Sequence, residues 1–179
     1  TAEQSVLTGI DGRYEQTEAV AHQIWDWAEL GYKETQSSDL LASELEAAGF
    51  SIEKSVAGIP TAFIASFKQG DGPVIAILGE FDALPGFSQA ASPMKSPIPG
   101  QAAGHACGHH LFGAGSVSAA IAVKDWLEAT GTEGEIRFYG TPAEEGGSGK
   151  VYMVRAGLFD DVDFSIHWHP SDSNAVMAT

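Results

Sequence analysis

Three short apolar runs in this chain each end on a cluster of polar, chemistry-bearing side chains, and that repetition constrains the fold more than any other feature. Val74 to Leu78 leads into Glu80 and Asp82, Ile136 to Tyr139 into Glu144 and Glu145, and Phe164 to Ile166 into His167-Trp168-His169. A short apolar string between turn residues reads as a strand buried on both faces, the kind found in sheets covered by helices. Between the runs the periodicity changes. Val117, Ala120, Ile121 and Leu127 lie on one stripe and predict a long helix from Leu111 to Ala129, and a second helix is predicted over about Ser148 to Ala156, before a strand from Val162 to Ile166. Strands alternating with helices predict an α/β fold with a mixed central sheet flanked by helices. In such sheets the ligand crevice lies beyond the carboxyl ends of the strands, so the three clusters are expected to converge.

The rest of the chain fits around that plan. Val20, Ile24 and Trp27, then Leu41, Leu45 and Ala48, recur at helical spacing and predict two amphipathic helices at the start, with Gly49 ending the second. Thr61 to Phe67 adds a strand. Pro85 to Gly104 is rich in Pro, Ser, Ala and Gly, lacks periodicity, and reads as a functional or mobile loop. At 179 residues the chain is expected to form one domain, 1–179. Its 24 acidic and 9 basic residues leave a net charge of −15, which repels phosphate backbones and anionic lipid, so nucleic acid and membrane are excluded as expected partners. No segment is long and apolar enough for a membrane span, and Thr1 to Ile10 lacks a signal pattern. A single cysteine excludes an internal disulfide, and a lone thiol beside histidines suits a cytoplasmic location.

The clusters carry metal chemistry. Cys107 and His109 stand two positions apart in His105-Ala106-Cys107-Gly108-His109-His110, in a glycine-rich loop entering a helix. Taken alone, that spacing also describes a buried, inert cysteine. Glu144 and Glu145 would repel in an apolar site, so their adjacency calls for a cation or for water. Successive side chains of extended backbone point apart, which lets one carboxylate bind a metal while the other faces a water. His167 and His169 share a face of a strand end; one can ligate while the other is structural. Asp82 can cap a turn or clamp the ring of a ligating histidine. The glycine run ending at Gly149-Lys150 is no phosphate cradle, because Val151 replaces the required Ser or Thr and two carboxylates occupy the place of the phosphate.

Gly79-Glu80-Phe81-Asp82-Ala83-Leu84-Pro85, His105 to His109, Thr141-Pro142-Ala143-Glu144-Glu145 and Trp168-His169-Pro170 together resemble the metallopeptidase family of aminoacylases, carboxypeptidase G and auxin-conjugate amidohydrolases, most of all its aminobenzoyl-glutamate hydrolase subgroup. The resemblance implies two divalent metal ions, zinc with manganese or cobalt as alternatives. It implies Cys107, His109, Glu145 and His169 as ligands, Glu144 as general base, and Asp82 as the aspartate that orients the site. Glu80 replaces a histidine ligand of the wider family, and His110 stands where the subgroup has Asp or Asn. The implied activity is hydrolysis of the amide bond of a small-molecule N-acyl or aminobenzoyl amino acid, with dipeptides as an alternative substrate. Family members are longer, with an inserted lid and dimerisation domain and a last histidine ligand. The chain is therefore expected to be the N-terminal portion of the catalytic domain, inactive by itself, with self-association through exposed apolar surface.

Overall fold

Apolar alternation on the central strands decides which layer covers which face. In the computed structural model, which describes residues 1–176, α1 (Ala2–Gly12), α2 (Tyr14–Trp27) and α3 (Thr35–Ala47) precede β1 (Ser51–Lys54), β2 (Phe63–Gln69) and β3 (Val74–Gly79). Two short strands, β4 (Leu84–Pro85) and β5 (Ala103–Gly104), lead to α4 (His109–Thr130), β6 (Gly134–Gly140), α5 (Gly149–Arg155) and β7 (Phe164–Ile166). Along β2 and β6, Phe63, Ala65, Ile136 and Phe138 face a core built with Ile24, Leu41, Leu45, Val117 and Ile121 of α2, α3 and α4. Ile64, Ala76, Leu78 and Tyr139 face the other way, against Met153 of α5 and Val56 and Ile59 of the segment between β1 and β2. The result is a mixed sheet between two helical layers. Each fully buried Leu or Ile contributes about 1.5–3 kcal/mol to holding them together.

The sheet order is β1-β2-β6-β3-β7. β1, β2 and β6 pair antiparallel, whereas β3 is parallel to both β6 and β7. The register sets Gly79 beside Gly140 and Ile77 beside Ile166, so three parallel strands finish along one end of the sheet. The residues that follow them, Glu80, Thr141 and His167, are thereby neighbours. The end of β6 is tied further by the Thr141 hydroxyl, which donates to the Gly79 carbonyl at 3.0 Å.

Several expectations shift. The long helix begins at His109 rather than Leu111, which puts a candidate ligand in its first turn. β2 and β7 start two residues later than their apolar runs. α1 and β1 were not anticipated: Leu7 of α1 is exposed, and of β1 only Ile52 is even half-buried, so neither shows a clean apolar stripe. The loop from Pro85 to Gly104 is closed at its ends by pairing of Leu84 with Gly104 and Pro85 with Ala103. Inside it the Gln89 amide donates to the carbonyls of Ala90 and Met94 and accepts from the Ser96 N–H.

Candidate metal centre

His109 is the hub. It opens α4, is fully buried, and lies under the ends of β3 and β6. Its Nδ1 donates to Asp82 Oδ1 at 2.8 Å and to the Asp82 carbonyl at 3.1 Å, which leaves Nε2 as the nitrogen facing the open side. The other oxygen of Asp82 accepts the Glu145 N–H at 2.9 Å, so one buried aspartate orients both the imidazole and the glutamate loop. Around Nε2 stand Glu80 Oε2 at 2.8 Å, Glu145 Oε1 at 3.9 Å and Glu144 Oε2 at 4.0 Å. On the other side Cys107 Sγ lies 3.5 Å from His169 Nε2. Donor atoms of Cys107, His109 and His169 all fall within 4.8 Å of one another, and those of Glu80, His109 and Glu144 do likewise.

The cluster gathers carboxylate oxygens around one buried ring nitrogen. Glu80 Oε2 and His109 Nε2 are buried and face each other at 2.8 Å, and the buried Glu145 Oε1, 3.9 Å from the same nitrogen, has no hydrogen-bond partner. An unsatisfied buried polar atom costs about 1–3 kcal/mol, and more when charged. Carboxylate oxygens gathered around one imidazole nitrogen, with a thiol and a second imidazole alongside, make a donor set that fits divalent cations. The electrostatics agree. Burial acts against a charged ring, yet the hydrogen bonds and charges of Asp82 and Glu80 outweigh it and raise the His109 pKa to about 10. Burial also opposes ionisation of Glu80, but His109 and Lys150 prevail and lower its pKa to about 2. Burial, reinforced by the carboxylates of Glu145 and Glu144, pushes the Cys107 thiol up to about 11, so a cation is needed to make it a thiolate.

The glutamate pair is presented by a strained turn. Ala143 has φ 56°, a left-handed conformation that a non-glycine residue adopts at a cost of about 1–3 kcal/mol. Glu34 offsets that cost. It is fully buried, accepts the Ala143 N–H at 2.8 Å through one oxygen, and accepts the Thr61 hydroxyl at 3.0 Å through the other. Tyr32 adds a hydroxyl bond to the Gly147 carbonyl just beyond the pair. Glu34, Tyr32 and the ion pair of Lys150 with Glu80 were not singled out by sequence reasoning. Gly31-Tyr32-Lys33-Glu34-Thr35 has the composition of a solvated loop, and no local pattern marks its glutamate as buried.

All six candidate residues, Asp82, Cys107, His109, Glu144, Glu145 and His169, stand at this one site. Distance from His109 does not separate Glu144 from Glu145; burial does, because the Glu144 side chain is 46% exposed and that of Glu145 is 18% exposed. The remaining histidines divide. His167 Nε2 lies 3.3 Å from Glu80 Oε1 at the edge of the cluster. His105 donates to the Ile24 carbonyl and His110 packs edge-on against Trp25, both turned toward α2. Burial holds both rings neutral, with pKa about 4.

The sequence profile of peptidase family M20/M25/M40 matches residues 76–178, more than half of the chain and the stretch that contains every residue of the cluster. The chain belongs to the peptidase family M20/M25/M40. It is 56% identical over 153 residues to one of the subunits of p-aminobenzoyl-glutamate hydrolase from Escherichia coli, a match covering 84% of this chain and 31% of that protein. It is 34% identical over 178 residues to Xaa-Arg dipeptidase of Mus musculus, covering 93% of this chain and 37% of that protein. Among solved structures, the YXEP protein of Bacillus subtilis, described as a dinuclear metal binding peptidase of the M20 family, superposes with a TM-score of 0.74 at 27% identity over 88% of this chain and 43% of that one. The chain thus spans about a third of the length of these two curated M20/M25/M40 relatives.

Proposed function

We propose that this chain supplies the ion-binding part of a metal-dependent amide hydrolase acting on N-acyl or aminobenzoyl amino acids. The observation that carries the reading is the convergence of carboxylate oxygens of Glu80, Glu144 and Glu145 on the buried His109 Nε2, beside Cys107 and His169. The substrate class rests on the 56% identity to a p-aminobenzoyl-glutamate hydrolase, and a dipeptide substrate is the alternative offered by the dipeptidase relative.

In this reading Cys107, His109, Glu145 and His169 hold two divalent cations, with Glu80 as a further oxygen donor. The thiolate and imidazoles favour zinc. Bound cations would polarise the substrate carbonyl and lower the pKa of a water toward about 7. Asp82 fixes the His109 tautomer so that Nε2 is offered to the ion. Glu144, the more exposed carboxylate, accepts the proton of the attacking water and later returns it to the leaving amine nitrogen. The strained turn at Ala143, held by Glu34, aims that carboxylate at the open side.

We further propose that residues 1–179 correspond to the N-terminal portion of the relatives' catalytic domain and bind ions without turnover by themselves, because Glu144 and His169 lie on a side left open to solvent. Glu144→Gln tests the base in a protein of the relatives' full length. Hydrolysis of aminobenzoyl-glutamate should fall by about a thousandfold or more with metal content unchanged. Retained turnover removes Glu144 from the role.

A further inference from the structure

Lys150 is the cation of this cluster that the proposed reaction leaves unused. Its position is built in. Gly149 lies so close to Pro142 that an added Cβ would meet the Pro142 carbonyl oxygen at 2.1 Å, so only glycine lets the chain pass there and deliver the next residue inward. The Lys150 ammonium then pairs with Oε1 of Glu80, a residue 2% exposed. His167 Nε2 lies 3.3 Å from the same oxygen, while Oε2 faces His109 Nε2 at 2.8 Å. Among the described residues, no other Lys or Arg pairs with Glu80, Asp82, Glu144 or Glu145.

A unit positive charge at that place has two opposing effects. With no ion bound, it compensates a buried carboxylate that would otherwise be costly. With an ion arriving between Glu80 and His109, it repels the ion, and at an effective dielectric of about 20 that repulsion is worth more than about tenfold in a binding constant. Among the described residues, no Lys or Arg forms an ion pair on the Cys107 and His169 side of the cluster. We propose that Lys150 is a built-in counter-ion of Glu80 that is displaced when Glu80 takes up a divalent cation, so that Lys150 sets the affinity of the weaker of two ion positions. It is a positioning residue, acting through Glu80. The proposal rests on the reading of the cluster as a metal centre.

The test is calorimetric titration of zinc into the chelator-stripped 179-residue chain, with the melting temperature of the stripped protein as a second readout. The wild-type chain should bind in two steps of different affinity. Lys150→Met should tighten the weaker step by about tenfold or more while lowering the melting temperature without zinc, a combination that loss of a merely structural contact does not produce. Lys150→Gln carries the same comparison with a polar stem, and Lys150→Arg, which keeps the charge, should stay close to wild type. In a Glu80→Gln background the tightening should vanish. A weaker step that is unchanged or loosened in both Lys150→Met and Lys150→Gln overturns the proposal and leaves the metal centre standing. No zinc bound by the wild-type chain overturns the metal-centre reading itself, and this proposal with it.

Discussion

At the scale of single residues, the site works by leaving buried charges incomplete. Without a cation, Glu80 has a pKa of about 2, below its ordinary 4.5, so its contribution to stability is present above pH 4.5 and is lost as pH falls toward 2. His109 has a pKa of about 10, above its ordinary 6.5, so its contribution is present below pH 6.5 and is lost as pH rises toward 10. A divalent ion reverses the alkaline trend, because it must displace the His109 proton and the Cys107 proton, and both leave more readily at higher pH. The chelated chain should therefore lose melting temperature between pH 6.5 and 10 while the stabilisation by zinc grows over the same range. Thermal melts with and without zinc check this, and zinc stabilisation that shrinks with pH would contradict it. Of these residues, Cys107, His109, the glutamate pair and His169 were visible in the sequence because metal-ligating types sit close together there. Glu34 was not, because its partners, Ala143 and Thr61, are remote in the chain and its burial comes from tertiary packing alone.

At the scale of elements, the site is the meeting of three parallel strand ends with the first turn of α4. That helix sits unusually close to β3. A Cβ on Gly113 would lie 2.8 Å from the Glu80 carbonyl oxygen and 3.0 Å from Leu41 Cδ1. Replacing a helical glycine by alanine gains about 1 kcal/mol in propensity, but overpacking against backbone costs about 1–3 kcal/mol, and here the backbone belongs to Glu80. Gly113→Ala should lower unfolding stability by about 1 kcal/mol and weaken zinc binding in the same protein, measured by urea denaturation and titration. Gly12→Ala in α1, which meets nothing within 4 Å, serves as the control, which should leave zinc binding unchanged and should not lower stability. The alternation of strands and long helices, and hence the direction in which the clusters point, was legible because β3 and β6 are buried on both faces and read as apolar runs. α1 and the edge strand β1 were not, since a half-exposed element carries no clean periodicity. The early start of α4 was missed because its first turn is polar for the sake of the site.

At the scale of the whole molecule, the sheet presents an apolar flank. β7 pairs with β3 on one side only, Phe164 and Ile166 are 62% and 55% exposed, and Val151 and Val154 of α5 are exposed as well. An edge strand of this kind invites pairing with another chain, while a net charge of −15 opposes it. Screening should decide between them. Light scattering is expected to show concentration-dependent association that strengthens from low to physiological salt, and a monodisperse monomer throughout would contradict it. The charge fits a centre built to gather cations, and it was readable from composition alone. Exposed apolar surface was expected, but its place on β7 and α5 was not legible, since an apolar run does not reveal whether anything covers it.

The central claim is that side chains from the ends of β3, β6 and β7 and the start of α4 close around divalent ions, and anomalous X-ray scattering at the zinc edge from crystals grown with zinc tests it most directly. The account predicts density about 2.3 Å from Cys107 Sγ and about 2.0–2.2 Å from His109 Nε2 and a Glu145 oxygen. Zinc found only elsewhere on the surface, with these side chains uncoordinated, would contradict it.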